Sequence, residues 1–457
     1  MTISEHIFRQ YDVRGLVASE LTEEVAEGVG HAYGCMASEH LEKRPRIAVG
    51  QDNRPSSSSL AAALIRGLND AGADVVDIGT VPTPTLYWAE HTLSTDGGIQ
   101  ITGSHNPPEW NGIKMTLQGA SVYGEAIQDL KGRILTRPNE PSGGEGNTEQ
   151  EDVLDRYIDD LAARFDLLGP VKVVLDCGNG AGSLVGATLL QQIGAQVIPL
   201  YCESDGTFPN HHPDPTVDEY LVDLIETVRR EGADLGIGFD GDADRIGAVD
   251  EKGQVVRGDI LLLMFGLDVL RKRGPGQKLI YDVKCSQVLP DEFAKAGGEP
   301  IMWRTGHSLI KEKMRETGAL VAGELSGHIC LADDYLGFDD APYDACRLVD
   351  LIARSERTFS EMVADFPVYA STPELRIEVT EESKFGLVQA AQEHFRKTRE
   401  VIDVDGARIL FDDGWGLLRA SNTQPIIVAR YEARTEEGLN AIREEIELWL
   451  QTQGVVL

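Results

Sequence analysis

LGIGFDGDADR (235–245) carries the pattern on which the fold is read: a short run of apolar and glycine residues, then a polar loop with three aspartates. Such a run predicts a buried strand, and the glycine-rich polar segment after it predicts a tight loop. The same strand and loop recur at GGIQITGSHNPP (97–108) and LVAGELSGH (320–328). Upstream of each lies a strand ending in polar turn residues: RIAVGQDNR (46–54), VKVVLDCGNGAG (171–182) and KLIYDVKCS (278–286). Between them come a helical stretch, a glycine turn and a second strand, at NDAGADVVDIG (69–79), QQIGAQVIPLY (191–201) and AKAGGEPIMW (294–303). Three copies of one order of elements predict three related α/β domains. In open α/β sheets ligands gather beyond the carboxyl ends of the strands, which is where all three loops are expected.

The remainder departs from the repeat. ELRIEV (374–379) reads as a strand, 381–399 as a helix, 407–434 as a β meander with an internal loop, and 435–451 as a closing helix. That order predicts a smaller α+β domain. The domains are placed at 1–149, 150–252, 253–366 and 367–457, with the polar stretch NEPSGGEGNTEQED (139–152) as the first linker.

Composition narrows the function. Lys and Arg number 42 against 75 Asp and Glu, a formal charge of −33, which repels nucleic acid and anionic membranes. An anionic substrate would need a locally basic site. Only 13 residues are Lys, and an acidic, lysine-poor surface fits either a saline cytoplasm or ordinary acidic drift. The most apolar stretch, 260–270, is broken by Gly266 and Asp268 and falls short of the ~20 residues of a span. MTISEHIFRQYDVRG lacks the pattern of a secretory signal, and the six scattered cysteines form no CxxC pair. Reduced thiols in a cytoplasm are expected.

Four loops carry chemistry. In TGSHNPPEWNGIKM (102–115), Ser104 stands at the tip of a proline-stiffened turn, where it suits a nucleophile or phosphate carrier. His105 and Lys114 could move protons there. In FDGDADR (239–245), Asp240, Asp242 and Asp244 alternate; in extended backbone their side chains would share one side and converge on a cation. Oxygen-only ligation suits Mg²⁺, and Arg245 beside it suits a transferring phosphoryl group. GELSGH (323–328) offers Glu324, Ser326 and His328 to sugar hydroxyls, and RASNTQP (419–425) offers a guanidinium and hydroxyls to a phosphate. Apart from the aspartate loop, each of these reads by itself as an ordinary turn. GNGAGS (178–183) lacks the third glycine of a dinucleotide loop, and no GxxxxGK[ST] occurs.

Together and in this order, the four loops resemble those of the α-D-phosphohexomutase superfamily over essentially the whole chain, most closely its bacterial phosphomannomutase/phosphoglucomutase branch. FRQYDVRG (8–15) is likewise similar to that family's N-terminal signature. The resemblance implies four domains around a central cleft, with Ser104 as the phosphoserine. It implies Mg²⁺ held by Asp240, Asp242, Asp244 and a phosphoserine oxygen. Glu324 and Ser326 would grip the sugar with His328 beside them, and Arg419, Ser421, Asn422 and Thr423 would bind the non-reacting phosphate. Tyr11, Arg14, Lys114, Arg245, Lys284 and His307 match cleft-lining positions. The implied reaction interconverts hexose 1- and 6-phosphates of mannose or glucose through a bound 1,6-bisphosphate. Glucose 1,6-bisphosphate or mannose 1,6-bisphosphate would be the activator, and the enzyme a cytoplasmic monomer. Ala243 stands where many members carry glycine, so a positive φ there would strain it. The rivals are a phosphoglucosamine mutase, though that branch usually resembles RPSGTEP in the fourth loop, a metal-dependent sugar phosphatase, and a non-catalytic sensor.

Overall fold

The computed structural model describes residues 4–136, 145–421 and 424–456. They form two compact units, Met1–Gly258 with Ser326–Val363, and Asp259–Leu325 with Ala364–Leu457.

In the first unit, the strand Arg46–Gln51 lies between Asp74–Thr80 and Gly97–Ile101, parallel to both. Gly97–Ile101 then turns through the serine loop into Trp110–Leu117, which pairs antiparallel with it and with Val13–Leu16. The second sheet repeats the plan. Lys172–Asp176 is flanked in parallel by Gln196–Leu200 and Leu235–Phe239, and the aspartate loop turns the latter back into antiparallel Ile246–Asp250. Both polar loops are therefore hairpin connections at the carboxyl end of a buried strand.

Ile47, Val49, Ile99, Ile101 and Ile113 form the inner face of the first sheet, and the helices Glu23–Leu41 and Ser57–Asp70 cover it. Those helices meet backbone to backbone. A Cβ on Gly30 would lie 2.1 Å from the Leu64 carbonyl oxygen, and one on Gly67 would lie 2.0 Å from that of Glu27. Substituting either glycine forces the helices apart.

The expected linker is in part a strand: Thr148–Gln150 extends the first sheet in parallel with Asp74–Thr80. All three of its residues are exposed and polar, so it lacks the apolar alternation that marks a strand in sequence.

In the second unit, Lys278–Asp282 takes the central place between parallel Glu299–Trp303 and Val321–Gly323. The carboxyl-terminal part is an antiparallel sheet in which Ile426–Ala433 pairs with Gly414–Ala420 and Leu375–Glu378. Its core joins Ile409, Leu418, Ile427 and Tyr431 to Phe395 and Trp449 on the two helices. The closing helix, Glu436–Thr452, starts where Thr435 accepts the Gly438 amide at 3.0 Å.

Among the described residues no helix is long and apolar enough to cross a membrane.

Candidate active site

Ser104 sits at φ +51°, a left-handed conformation that a non-glycine residue adopts only where the surroundings impose it. Arg54 imposes it. Its guanidinium donates to the carbonyls of Ser104 (2.6 Å), Asn106 (2.6 Å), Pro107 (2.7 Å) and Trp110 (3.1 Å). Asp52 holds that guanidinium at 3.0 Å, and Thr102 Oγ1 accepts the Ser104 amide at 2.9 Å. A Cβ on Gly103 would lie 2.6 Å from the guanidinium, so glycine is what lets Arg54 under the loop.

The aspartate loop abuts the serine loop. The Ser104 hydroxyl donates to Asp240 Oδ2 at 2.9 Å and lies 3.1 Å from His105 Nδ1. A Cβ on Gly241 would fall 2.3 Å from the Ser104 carbonyl oxygen. Asp240, Asp242 and Asp244 are fully buried, with one oxygen of each within 4.8 Å of the others. The convergence is not that of extended backbone. The loop is a turn closed by the Ala243 amide on the Asp240 carbonyl (3.1 Å), with Ala243 at φ +59°. Its methyl is buried, which offsets part of the cost of that conformation.

Charge in this cluster is unbalanced. Burial and the two neighbouring aspartates push Asp240 well above the usual carboxylate range. Against the burial that would raise it, Lys114 holds Asp242 well below that range. The Lys114 ammonium lies 2.8 Å from Asp242 and 2.5 Å from Asp244, and these partners outweigh its burial to keep it firmly protonated. Asp242 Oδ1 and Asp244 Oδ1 are buried and accept no hydrogen bond. Buried oxygens without donors, on carboxylates that one ammonium only partly offsets, fit a hard divalent cation. His105 goes the other way: burial, then the charges of Arg245 and Arg14, push its imidazole well below the usual range.

Arg245 Nε donates to His328 Nε2 at 2.9 Å, and His328 Nδ1 lies 2.9 Å from Asp339 Oδ2 and 3.6 Å from Asp244. His328 and half-buried Ser326 belong to the first unit, whereas Glu324 belongs to the second. The neighbours of His328 thus include Arg245, Asp339 and Asp244 of the aspartate loop. Arg14 donates to Asp12 (2.5 Å) and to Asn106 of the serine loop (3.2 Å), next to half-buried Tyr11.

In the second unit, Glu324 accepts the Gly306 amide at 2.6 Å and so fixes the turn that starts the helix His307–Thr317. Asp282 accepts from the Thr305 hydroxyl (3.0 Å) and the Leu325 amide (3.2 Å). Asp405 accepts from the Thr305 amide (3.0 Å) and from Arg419 (2.6 Å), so one carboxylate joins the histidine turn to the fourth loop. Lys284 pairs with Glu374 at 2.8 Å, which with Asp282 holds its ammonium well above the usual range despite burial. Ser421 Oγ accepts the Gln424 amide at 3.2 Å; Asn422 and Thr423 lie outside the described residues. Asp52, Arg54, Glu374 and Asp405 escaped the sequence reading because they sit outside the four loops, and Arg54, Glu374 and Asp405 act on residues far away in the chain.

Four family models match in chain order. They are the phosphoglucomutase/phosphomannomutase alpha/beta/alpha domains I (5–140), II (155–253) and III (257–369), and the C-terminal domain (374–448). A phosphomannomutase/phosphoglucomutase of Pseudomonas aeruginosa is 46% identical over 444 residues, covering 97% of this chain and 95% of that one. A phosphoglucomutase of Neisseria gonorrhoeae is 41% identical over 454 residues, with coverage of 99% and 98%. The crystal structure of a phosphoglucomutase/phosphomannomutase family protein from Burkholderia thailandensis matches with a TM-score of 0.92 at 40% identity, covering 99% of this chain and 98% of that one. The chain is a mutase enzyme of the phosphoglucomutase/phosphomannomutase family, in the bacterial branch of the α-D-phosphohexomutase superfamily.

Proposed function

We propose that this enzyme interconverts the 1-phosphate and 6-phosphate of mannose and glucose, with Ser104 as the phosphate carrier. The observation that carries this reading is Ser104 Oγ at 2.9 Å from Asp240, within a trio of buried carboxylates that keeps two oxygens without donors. Asp240, Asp242 and Asp244 would hold Mg²⁺ together with an oxygen of the phosphoserine. The bound ion would supply positive charge against the oxygens of the transferring phosphoryl group. Arg245, oriented by its bond to His328, would add to that charge from the protein side. Arg54 would keep Ser104 in the attack geometry. Either Lys114 or His105 would take the hydroxyl proton, His105 lying 3.1 Å from Ser104 and Lys114 against Asp242, and Arg14 bonds to the serine loop.

In the second unit, Glu324 would receive sugar hydroxyls. Arg419 and Ser421, with Asn422 and Thr423, would hold the phosphate that is not reacting. Lys284 and His307 would add positive charge and hydrogen bonds. The hydroxyl of a hexose 1-phosphate would take the phosphoryl group of Ser104, giving a 1,6-bisphosphate that returns its other phosphate to Ser104. The same bisphosphate, added in trace, would recharge an enzyme that had lost its phosphate. We read the chain as four domains, 1–149, 150–252, 253–366 and 367–457, acting as a cytoplasmic monomer.

The test compares glucose 1-phosphate, mannose 1-phosphate and glucosamine 1-phosphate with Mg²⁺ and trace glucose 1,6-bisphosphate. Conversion of the first two to their 6-phosphates without release of inorganic phosphate is expected. Predominance of glucosamine phosphate, or stoichiometric phosphate release, would overturn the proposal in favour of an aminosugar mutase or a phosphatase.

A further inference from the structure

Cys177 and Cys202 are 25 residues apart, and no spacing rule pairs them. The fold does. The strands Lys172–Asp176 and Gln196–Leu200 run parallel with Asp176 opposite Leu200, and the Cys177 amide donates to the Leu200 carbonyl at 3.1 Å. Both cysteines stand just past the same end of neighbouring strands, and their sulfurs lie 3.1 Å apart. That is inside van der Waals separation and about 1 Å longer than a disulfide bond.

The two thiols are unlike. Cys177 is buried, and burial pushes its thiol up, whereas Cys202 is half-buried and the Cys177 thiol bonded to it draws its thiol down. Cys202 is therefore the more exposed and more readily ionised sulfur of the pair, the one an oxidant in solution meets first, with Cys177 directly behind it.

We propose that Cys177 and Cys202 are an oxidisable dithiol that closes to a reversible disulfide under hydrogen peroxide, and that closure slows turnover by moving the support of the aspartate loop. The Cys202 thiolate attacks one peroxide oxygen. The O–O bond breaks, leaving a sulfenic acid and a hydroxide that becomes water with the proton Cys202 released on ionising. The Cys177 sulfur then attacks the sulfenic sulfur, the S–O bond breaks, and the departing hydroxide leaves with the Cys177 proton as water. The two thiols are oxidised by two electrons, and peroxide is reduced to water.

The route to the aspartate loop is short and taut. Gly178 and Asn179 follow Cys177 at φ +51° and +58°. Asn53 donates to the Asn179 carbonyl at 2.7 Å, and the Ala181 amide donates to the Gly241 carbonyl at 2.9 Å. A Cβ on Gly180 would come within 2.6 Å of that same carbonyl. Gly241 separates Asp240 from Asp242, so drawing Cys177 toward Cys202 displaces the segment on which the aspartate loop rests.

The turnover arm of this proposal rests on the mutase reading above; the disulfide itself does not. Reduced full-length enzyme is treated with hydrogen peroxide, digested without reductant, and mapped by mass spectrometry while turnover is followed. The expected result is a peptide pair cross-linked through Cys177 and Cys202, with turnover falling several-fold and returning on treatment with dithiothreitol. Cys202→Ser should keep the starting turnover and lose the response. Peroxide that leaves Cys177 free while oxidising Cys202 to sulfinic acid, or that modifies Cys35 instead, overturns the pairing. A cross-link that forms with turnover unchanged overturns the coupling to the aspartate loop. If the reduced enzyme turned over no sugar phosphate, the mutase reading would fail, and the peptide map alone would still decide the pair.

Discussion

Arg54 stands behind Ser104 without belonging to any loop that the sequence marks as chemical. Four carbonyls converge on its guanidinium, and a lysine in its place could donate to only some of them from a different plane. Arg54→Lys is expected to lower kcat by about tenfold or more with KM little changed, because small displacements of a reacting group cost that much. A steady-state comparison with wild type checks it, and an unchanged kcat would contradict the clamp. Ala243 poses a second question at this scale. At φ +59° its methyl is tolerated because it is small and buried, but a β-branched side chain is not compatible with that conformation. Ala243→Val should destabilise the protein by ~2 kcal/mol or more in chemical denaturation and weaken retention of Mg²⁺. Alanine-like stability would show that the turn relaxes.

Elements were legible in the sequence wherever burial wrote a pattern. The three repeated strands, the loops after them, and the strand and helix order of 374–451 all follow from apolar runs interrupted by turn residues. What stayed hidden has a common physical cause. The edge strand Thr148–Gln150 has no buried face, and the sulfur pair and Arg54 depend on contacts between strand ends that no local pattern encodes. The three aspartates converge as their alternation suggested, but a left-handed turn gathers them instead of extended backbone.

His211 links the end of the strand Lys172–Asp176 to the segment after Gln196–Leu200. Its Nε2 lies 3.0 Å from Asp176 and its Nδ1 2.9 Å from the His212 carbonyl, with Tyr201 and Tyr220 against its ring. Both nitrogens face acceptors, so despite partial burial Asp176, helped by Asp223, raises the imidazole above its ordinary value. A cation favoured by folding stabilises fully below the unfolded pKa, and the contribution is lost as pH rises through the folded value. The stability advantage of wild type over His211→Gln should therefore be full below the ordinary histidine value of about 6.5 and shrink as pH rises past it. An advantage that does not change with pH would contradict the charged form.

The whole molecule carries a formal charge of −33, and compaction concentrates that charge. Potassium chloride should raise the thermal midpoint by screening the self-repulsion, most steeply at low ionic strength. A midpoint equal in dilute buffer and in molar salt would contradict that expectation. Chelation is expected to abolish turnover, and added Mg²⁺ to restore it, because the buried aspartates outnumber the one ammonium among them.

The central claim, that phosphate moves through Ser104, is tested most directly by one turnover. Enzyme phosphorylated on Ser104 is mixed with excess glucose 1-phosphate and Mg²⁺, and both protein mass and sugar products are read as the reaction is quenched. The account predicts that the phosphate of Ser104 appears in glucose 1,6-bisphosphate before glucose 6-phosphate accumulates, and that Ser104→Ala forms neither. Glucose 6-phosphate appearing while Ser104 keeps its original phosphate would contradict it.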